Sequence, residues 1–408
     1  MTESSRWRIA MLIGCAIAIS YFDRQTVSLA ITAIQREIPI SNTRFSDLQA
    51  AFLVAYAVMY ALGGRLVDAL GTRTGFLVIM LWWSLACASH GLANGFSALL
   101  VSRFLLGMGE GGAFPAATKA VAEWFSVGQR SFAMGIINAG TAVGAVVAPP
   151  CIAVVLSFAS WRWVFFLSGA IGLLWSLWWW RDYQAPQTAP SMLAEEQGLA
   201  WHQLFAFPQT WGLVGAKFLS DSAWYFYLFW LPKYLYDARG FDVKSVGYFA
   251  WIPYAAAGVG CLVGGWLSGR LITRGHSLNM ARKTALGLSA AVMPSILLVT
   301  HVPVAFAIVL FSIAFFGQQS WSTLIMVLPA DLFPQKVVGS VAGLVGCGGA
   351  IGGGVFGLLV GYLLDHGYGY GSVFAIVSTL HVLAFLLILL TVGRIEPITI
   401  FERQTQTV

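Results

Sequence analysis

Charge is what this chain has least of. Lys, Arg, Asp and Glu together make up 10% of its 408 residues, against about 25% in an ordinary soluble domain. So little charge cannot cover a water-soluble fold of this length. A soluble enzyme, a nucleic-acid binder and a disordered chain are excluded as readings of the whole. Cysteine is scarce too. Cys15, Cys87, Cys151, Cys261 and Cys347 are odd in number and lie in apolar runs, so they read as small buried residues. The longest polar stretch, 181–208, is too short for a catalytic domain. Of the histidines, only His381 falls at mid-depth of an apolar segment, and that segment is the last.

What fills the chain is apolar. Hydrophobic residues reach 58%, with 44 Gly and 17 Trp, and mean hydropathy is +0.76. That bias belongs to packed transmembrane helices with aromatic belts. A span needs about 20 apolar residues. The pattern predicts twelve, at 9–36, 46–70, 75–94, 97–125, 129–158, 161–180, 209–236, 243–272, 281–301, 304–331, 337–364 and 370–393. The triplet Ala16-Ile17-Ala18 could pass for a leader cleavage site. The apolar run continues past it, however, and then carries Asp23 and Arg24, so the segment reads as a retained span. With the N-terminus inside, thirteen basic residues fall on the inner side, Arg65, Arg73, Arg270 and Arg274 among them, against six outside. Both termini are then cytoplasmic. The expected fold is an all-α polytopic membrane protein of twelve helices. Its two six-helix halves, 1–180 and 209–408, are joined by a cytoplasmic linker at 181–208.

A weak internal repeat supports that division. Gly63-Gly64-Arg65-Leu66-Val67-Asp68 recurs 201 residues later as Gly264-Gly265-Trp266-Leu267-Ser268-Gly269, at the same place in each half. Six-span repeats point to a transporter with its site between the halves. The stretch Gly64-x-Leu66-x-Asp68-x-x-Gly71-x-Arg73 resembles the signature loop of the major facilitator superfamily. Asp68 and Arg73 are expected at an inner gate, where the carboxylate meets a neighbouring Arg-rich loop; a plain tight turn is the alternative. The second copy has Gly269 in place of the carboxylate, so a one-sided latch is expected.

Ionisable groups within a span cost roughly 3 kcal/mol each and are candidates for function. Span 1 carries Asp23 and Arg24; span 4 carries Arg103 and Glu110, two turns apart on one face. Arg24 and Arg103 share a depth. Two guanidinium groups there suit a carboxylate through forked hydrogen bonds. A closed quartet of all four charges is the structural alternative. With no histidine at hand, Asp23 and Glu110 are left to carry protons: an arriving anion would weaken the arginine field on them and favour a proton. Lys119 and Glu123 are expected to form a snorkelling i, i+4 surface pair. Lys217 and Asp221 stand at the same spacing in span 7, as an intrahelical pair, or as part of an inner gate or of the anion's field.

Tyr56 and Tyr60 in span 2, Asn138 and Thr141 in span 5, and the aromatic run of span 7 are candidates for the cavity lining. Span 10 reads Gln318-Gln319-Ser320-Trp321-Ser322-Thr323, a polar run that lipid would not tolerate. Amides and hydroxyls beside flat rings suit a sugar; helix packing is the alternative for any single ring. The glycines of span 11, Gly343 to Gly361, have no following Lys and read as close helix packing, not a phosphate loop.

The patterns Tyr21-x-Asp23-Arg24, Arg103-x6-Glu110 and Gly111-x-x-Phe114-Pro115-Ala116 resemble the anion:cation symporter branch of that superfamily, over nearly the whole chain. The second half is most similar to bacterial hexuronate transporters, through 226–235 and 328–344. The resemblance implies that Arg24, Arg103 and Tyr56, with Tyr21 beside them, hold a substrate carboxylate, and that Asp23 and Glu110 carry protons. Three positions depart from the branch. Thr141 stands where galactonate-type members have Gln, glycines fill span 11 where they have Asn, and Lys217 stands where Arg is expected. The first two favour a compact cyclic uronate over an aldonate.

The expected function is therefore proton-coupled import of a hexuronate across a bacterial inner membrane, by a monomer with no cofactor beyond the proton and no nucleic-acid partner. Aldonates, aldarates, sialic acid and aromatic acids are the rival substrates. An intramembrane enzyme would need a nucleophile–base set or metal cluster, and a sensor would need an output domain; the sequence offers neither.

Overall fold

The computed structural model describes residues 3–40, 42–184, 201–240 and 251–398. Most of the expected linker (185–200) and the start of the expected eighth span lie outside them. The described residues are almost wholly helical, as a bilayer requires of backbone groups that find no water. The helices are α1 (Glu3–Gln35), α2 (Asn42–Leu70), α3 (Thr72–His90), α4 (Phe96–Glu110), α5 (Ala113–Trp124), α6 (Val127–Phe158) and α7 (Trp161–Asp182). After them come α8 (Pro208–Arg239), α9 (Trp251–Thr273), α10 (Leu278–Ala291), α11 (Val304–Leu332), α12 (Val338–Asp365) and α13 (Gly369–Thr391). Among the described residues, eight helical segments are long and apolar enough to cross a membrane.

Two expected spans are not single α-helices. The stretch 97–125 breaks at Gly111–Gly112 into α4 and α5. Gly111 lies against the Tyr56 carbonyl of α2, where a Cβ would come within 2.6 Å, so the break is seated on its neighbour. The stretch 281–301 leaves the α form at Val292 and runs on as a 3₁₀ helix, Met293–His301, whose second residue is Pro294. A proline there removes a helical N–H.

Helices α1–α7 pack among themselves, chiefly α1 on α6, α2 on α4 and α3 on α7; α8–α13 do so through α8 on α12 and α13, and α9 on α11. The two sets meet chiefly along α6 with α9 and α2 with α12. Glycine permits both seams: Gly135 and Gly265 are pressed on the backbone of the opposite helix, as are Gly64 and Gly343. Between the seams lies a cavity of about 670 Å³. It sits toward the end of the bundle that carries Gln35, Phe158 and Arg239. At the other end, side chains and backbone close the gap.

Candidate functional site

Arg24 projects into the cavity from α1, beside Tyr21, Gln25 and Ser28. Its Nε donates to Glu110 Oε2 at 2.7 Å. Ser20, one turn earlier, donates to the same oxygen at 2.6 Å. The guanidinium lies over the rings of Tyr56 (4.4 Å) and Tyr21 (4.6 Å), contacts that hold a cation without neutralising it. Arg24 keeps 18% of its side chain exposed while Glu110 is fully buried. The cation therefore faces the cavity and the carboxylate stands behind it.

The other two charges of that group lie elsewhere. Arg103 does not share an open anion site with Arg24. It is buried against the Phe52 ring, 5.1 Å from its centroid, while Arg24 lies 5.5 Å from the same centroid. Both cations thus lie against the one Phe52 ring. Arg103 Nη2 instead donates to the Arg24 backbone carbonyl (3.0 Å) and to Gln49 Oε1 (3.1 Å). Asp23 faces away from the cavity, as the 100° step between neighbouring helix residues requires. It accepts from Trp83 Nε1 at 3.1 Å and from Ser168 Oγ. The quartet does not form: of the four residues, only Arg24 and Glu110 are paired.

The second wall brings Trp224, Tyr225, Leu228, Trp251, Tyr254 and Gln319. Below it the cavity narrows to a chamber where Tyr21, Tyr56, Tyr60 and Asn138 face Lys217, Asp221, Gln318, Gln319 and Ser322. Asn138 Nδ2 donates to Thr323 Oγ1 (3.2 Å) and Gln319 Nε2 to Thr141 Oγ1 (3.4 Å), tying the walls together. Ser320 and Trp321 are not part of the lining. Ser320 bonds Ser289 at 2.7 Å, and Trp321 is fully buried against His381, 5.6 Å between rings. Consecutive residues on one helix cannot all turn to one side. Gln318, Gln319 and Ser322 face the chamber; Ser320 and Trp321 do not.

The chamber's floor is Tyr60. Its ring fills the space that a side chain at Gly346 of α12 would occupy. Gly346→Ala should therefore loosen this end by about 1–3 kcal/mol of overpacking. The check is thiol labelling of T118C, a site buried beside Met326: its rate should rise in the Gly346→Ala background.

The closed end is a charge lattice. Asp68 accepts from Lys119 Nζ (2.8 Å), from the Ser340 N–H and hydroxyl (2.6 Å each) and from the Gly339 N–H (3.2 Å). The carboxylate caps the positive end of α12. Its cation comes from α5, not from an Arg-rich loop. The expected Lys119–Glu123 pair is absent: Lys119 is turned to Asp68, and Glu123 accepts from Thr72 and Tyr183, 2.7 Å each. Arg73 lies on the Trp180 ring at 4.2 Å and donates to its carbonyl, away from Asp68. A second buried carboxylate stands at this end. Asp331, at the end of α11, accepts from Arg282 (2.7 Å) and from Arg130 of α6 (3.2 Å). Gly269 is thus answered by a carboxylate from another helix. Removing one partner of a buried ion pair costs about 3–5 kcal/mol. Arg282→Ala should accordingly lower the melting temperature in detergent by several degrees, whereas Arg8→Ala, an exposed pair with Asp182, should leave it within a degree.

The family model for the Major Facilitator Superfamily matches residues 13–356. The chain is 31% identical over 404 residues to the hexuronate transporter of Escherichia coli K12, covering 94% of this chain and 93% of that one. It is 31% identical over 308 residues to the galacturonate transporter of Dickeya chrysanthemi, covering 71% and 89%. Its fold matches the crystal structure of a variant of the E. coli fucose:proton symporter FucP with a TM-score of 0.75 at 16% identity, over 94% of this chain and 98% of that one.

Proposed function

This chain belongs to the major facilitator superfamily, and on that footing we propose that it imports a hexuronate anion together with protons by alternating access. The observation that carries the reading is Arg24, turned to the cavity while its partner Glu110 is buried. A substrate carboxylate arriving at Arg24 competes for the same guanidinium. Glu110 is then a buried carboxylate losing its cation, a state costly enough to favour a proton. Anion and proton would bind together and leave together. Asp23, held by Trp83 and Ser168 on the far face of α1, is the second carboxylate assigned to the proton pathway. The names of the relatives, hexuronate and galacturonate transporters, support the substrate class.

The architecture of the proposal is twelve spans in two halves, 1–180 and 209–408, with a linker at 181–208 and both termini cytoplasmic. α1, α3, α4 with α5, and α8 would join the eight apolar segments as spans. On that topology the Asp68–Asp331 lattice would lie at the cytoplasmic side of a bacterial inner membrane and the cavity at the outer side, an outward-facing state. Asp68, Lys119 and Asp331 would hold the inner gate shut, and Lys217–Asp221 would stand just above it.

Uptake of labelled galacturonate into proteoliposomes, with and without an imposed proton gradient, tests the reading. Accumulation driven by an acid exterior is expected. Absence of sugar-acid uptake would remove the substrate; uptake indifferent to the gradient would remove the coupling.

A further inference from the structure

One charge pair faces the chamber below the cavity and holds no substrate carboxylate in the reading above. Lys217 Nζ donates to Asp221 Oδ1 at 2.8 Å and to Ser322 Oγ at 3.4 Å. Lys217 retains 3% of its side chain exposed and Asp221 13%. Asp221 Oδ2 lies over Gly349, in space that a side chain there would fill. The chamber that holds the pair shares Tyr21, Trp224, Tyr225 and Gln319 with the cavity that Arg24 lines. The cavity of about 670 Å³ and the chamber of about 30 Å³ below it thus each present a cation, Arg24 on α1 to the cavity and Lys217 on α8 to the chamber. Each is neutralised by a carboxylate, Glu110 or Asp221.

Resting on the reading above, we propose that Lys217–Asp221 is a second anion-and-proton exchange pair, through which the protein carries dianions of sugar-acid size with one more proton than a monoanion. A hexuronate with its carboxylate on Arg24 offers only hydroxyls to the far wall. Those can hydrogen-bond the intact pair, since Asp221 accepts and Lys217 donates. A second anionic group arriving there would leave two anions on one ammonium in a water-poor site, which disfavours one of the two charges. A proton on Asp221 removes the conflict and passes Lys217 to the substrate. The site then has the same net charge when empty, with a monoanion and its proton, or with a dianion and one proton more. Lysine suits such an exchange, because an ammonium is a point charge on a flexible stem and can change partners without the alignment a guanidinium fork demands.

The ionisable groups around Asp221 fit a proton exchanged there. Its own helix brings Lys217 and Tyr225, α1 brings Tyr21 and Arg24, and α2 brings Tyr56 and Tyr60. α13 brings His381, buried against Trp321. α11 and α12 face it with amides, hydroxyls and glycine. Among these described groups no second carboxylate competes for the proton.

The test is a reversal-potential measurement of proton-to-substrate ratio in proteoliposomes, with galacturonate as the monoanion and galactarate as the dianion. Both should be carried, and the galactarate ratio should exceed the galacturonate ratio by one. In Asp221→Asn, Lys217 has no carboxylate to release, so the galactarate ratio should fall by one. Equal ratios for the two substrates in the unaltered protein would overturn the assignment, as would galacturonate uptake with no uptake of galactarate. Galactarate uptake without galacturonate uptake would sink the hexuronate reading alone; the pair's role would then be upheld by a fall of one in the galactarate ratio of Asp221→Asn and overturned by an unchanged ratio. Uptake of neither would overturn both.

Discussion

Arg24→Ala is expected to lower affinity for a sugar acid by roughly 30- to 4000-fold, read by isothermal calorimetry on the purified protein. Truncating one partner of a desolvated charge-assisted hydrogen bond costs about 2–5 kcal/mol, and each 1.4 kcal/mol is tenfold. Arg24 is the cation that meets the cavity directly, and two rings hold its plane. Arg24→Lys should recover little, because a single ammonium cannot present a fork to a carboxylate or lie flat between Tyr21 and Tyr56. Arg103→Ala is the informative control. Arg103 reaches the site through the Arg24 carbonyl and Gln49 and lines neither the cavity nor the chamber, so its loss should weaken binding by less than tenfold. Equal losses for both arginines would put both on the substrate, as their shared depth first suggests.

That contrast shows what the amino-acid order makes legible. A charged or polar residue in an apolar run is conspicuous, and its depth follows from counting about 1.5 Å per residue. Arg24, Glu110, Asn138, Thr141 and Gln319 all stand out this way, and all stand at or directly behind the cavity. Direction around the helix is less visible. Asp23 and Arg24 are neighbours about 100° apart, and that step takes one to Trp83 and Ser168 and the other to the cavity; Trp321 turns to the core from within a polar run. Phe52 carries no signal at all: it is one of 28 phenylalanines, and its role exists only because α1, α2 and α4 converge on it. Asp331, Arg130 and Arg282 fail to stand out for another reason. Each sits at a helix end, where charge is ordinary, and only the packing of α6, α10 and α11 joins them into one buried lattice. The break between α4 and α5 is of the same kind, since apolar periodicity runs straight through Gly111 and Gly112.

Glu110→Gln should separate binding from coupling. Glutamine keeps the length of the side chain and an oxygen that can accept from Ser20 and Arg24, so α1 and α4 stay joined. What it loses is the charge. Arg24 is then free of a competing carboxylate and can take a substrate anion with no proton moving. Counterflow exchange of galacturonate, which needs only a loaded carrier to cross and return, should persist at a substantial fraction of the unaltered rate. Accumulation against a gradient should vanish. One pH unit stores about 1.4 kcal/mol per proton, enough for a roughly tenfold gradient of an anion carried with one proton, and the variant should reach only the equilibrium level. Binding should report the same change independently. In the unaltered protein affinity falls as pH rises, because the complex holds a proton that the free site does not; in Glu110→Gln that slope should flatten. A variant that still accumulates galacturonate under an acid exterior, with the slope intact, would move the proton to Asp23. The sealed pocket of Trp83 and Ser168 behind α1 would then have to open during the cycle, whereas Glu110 needs only to lose Arg24 to the substrate.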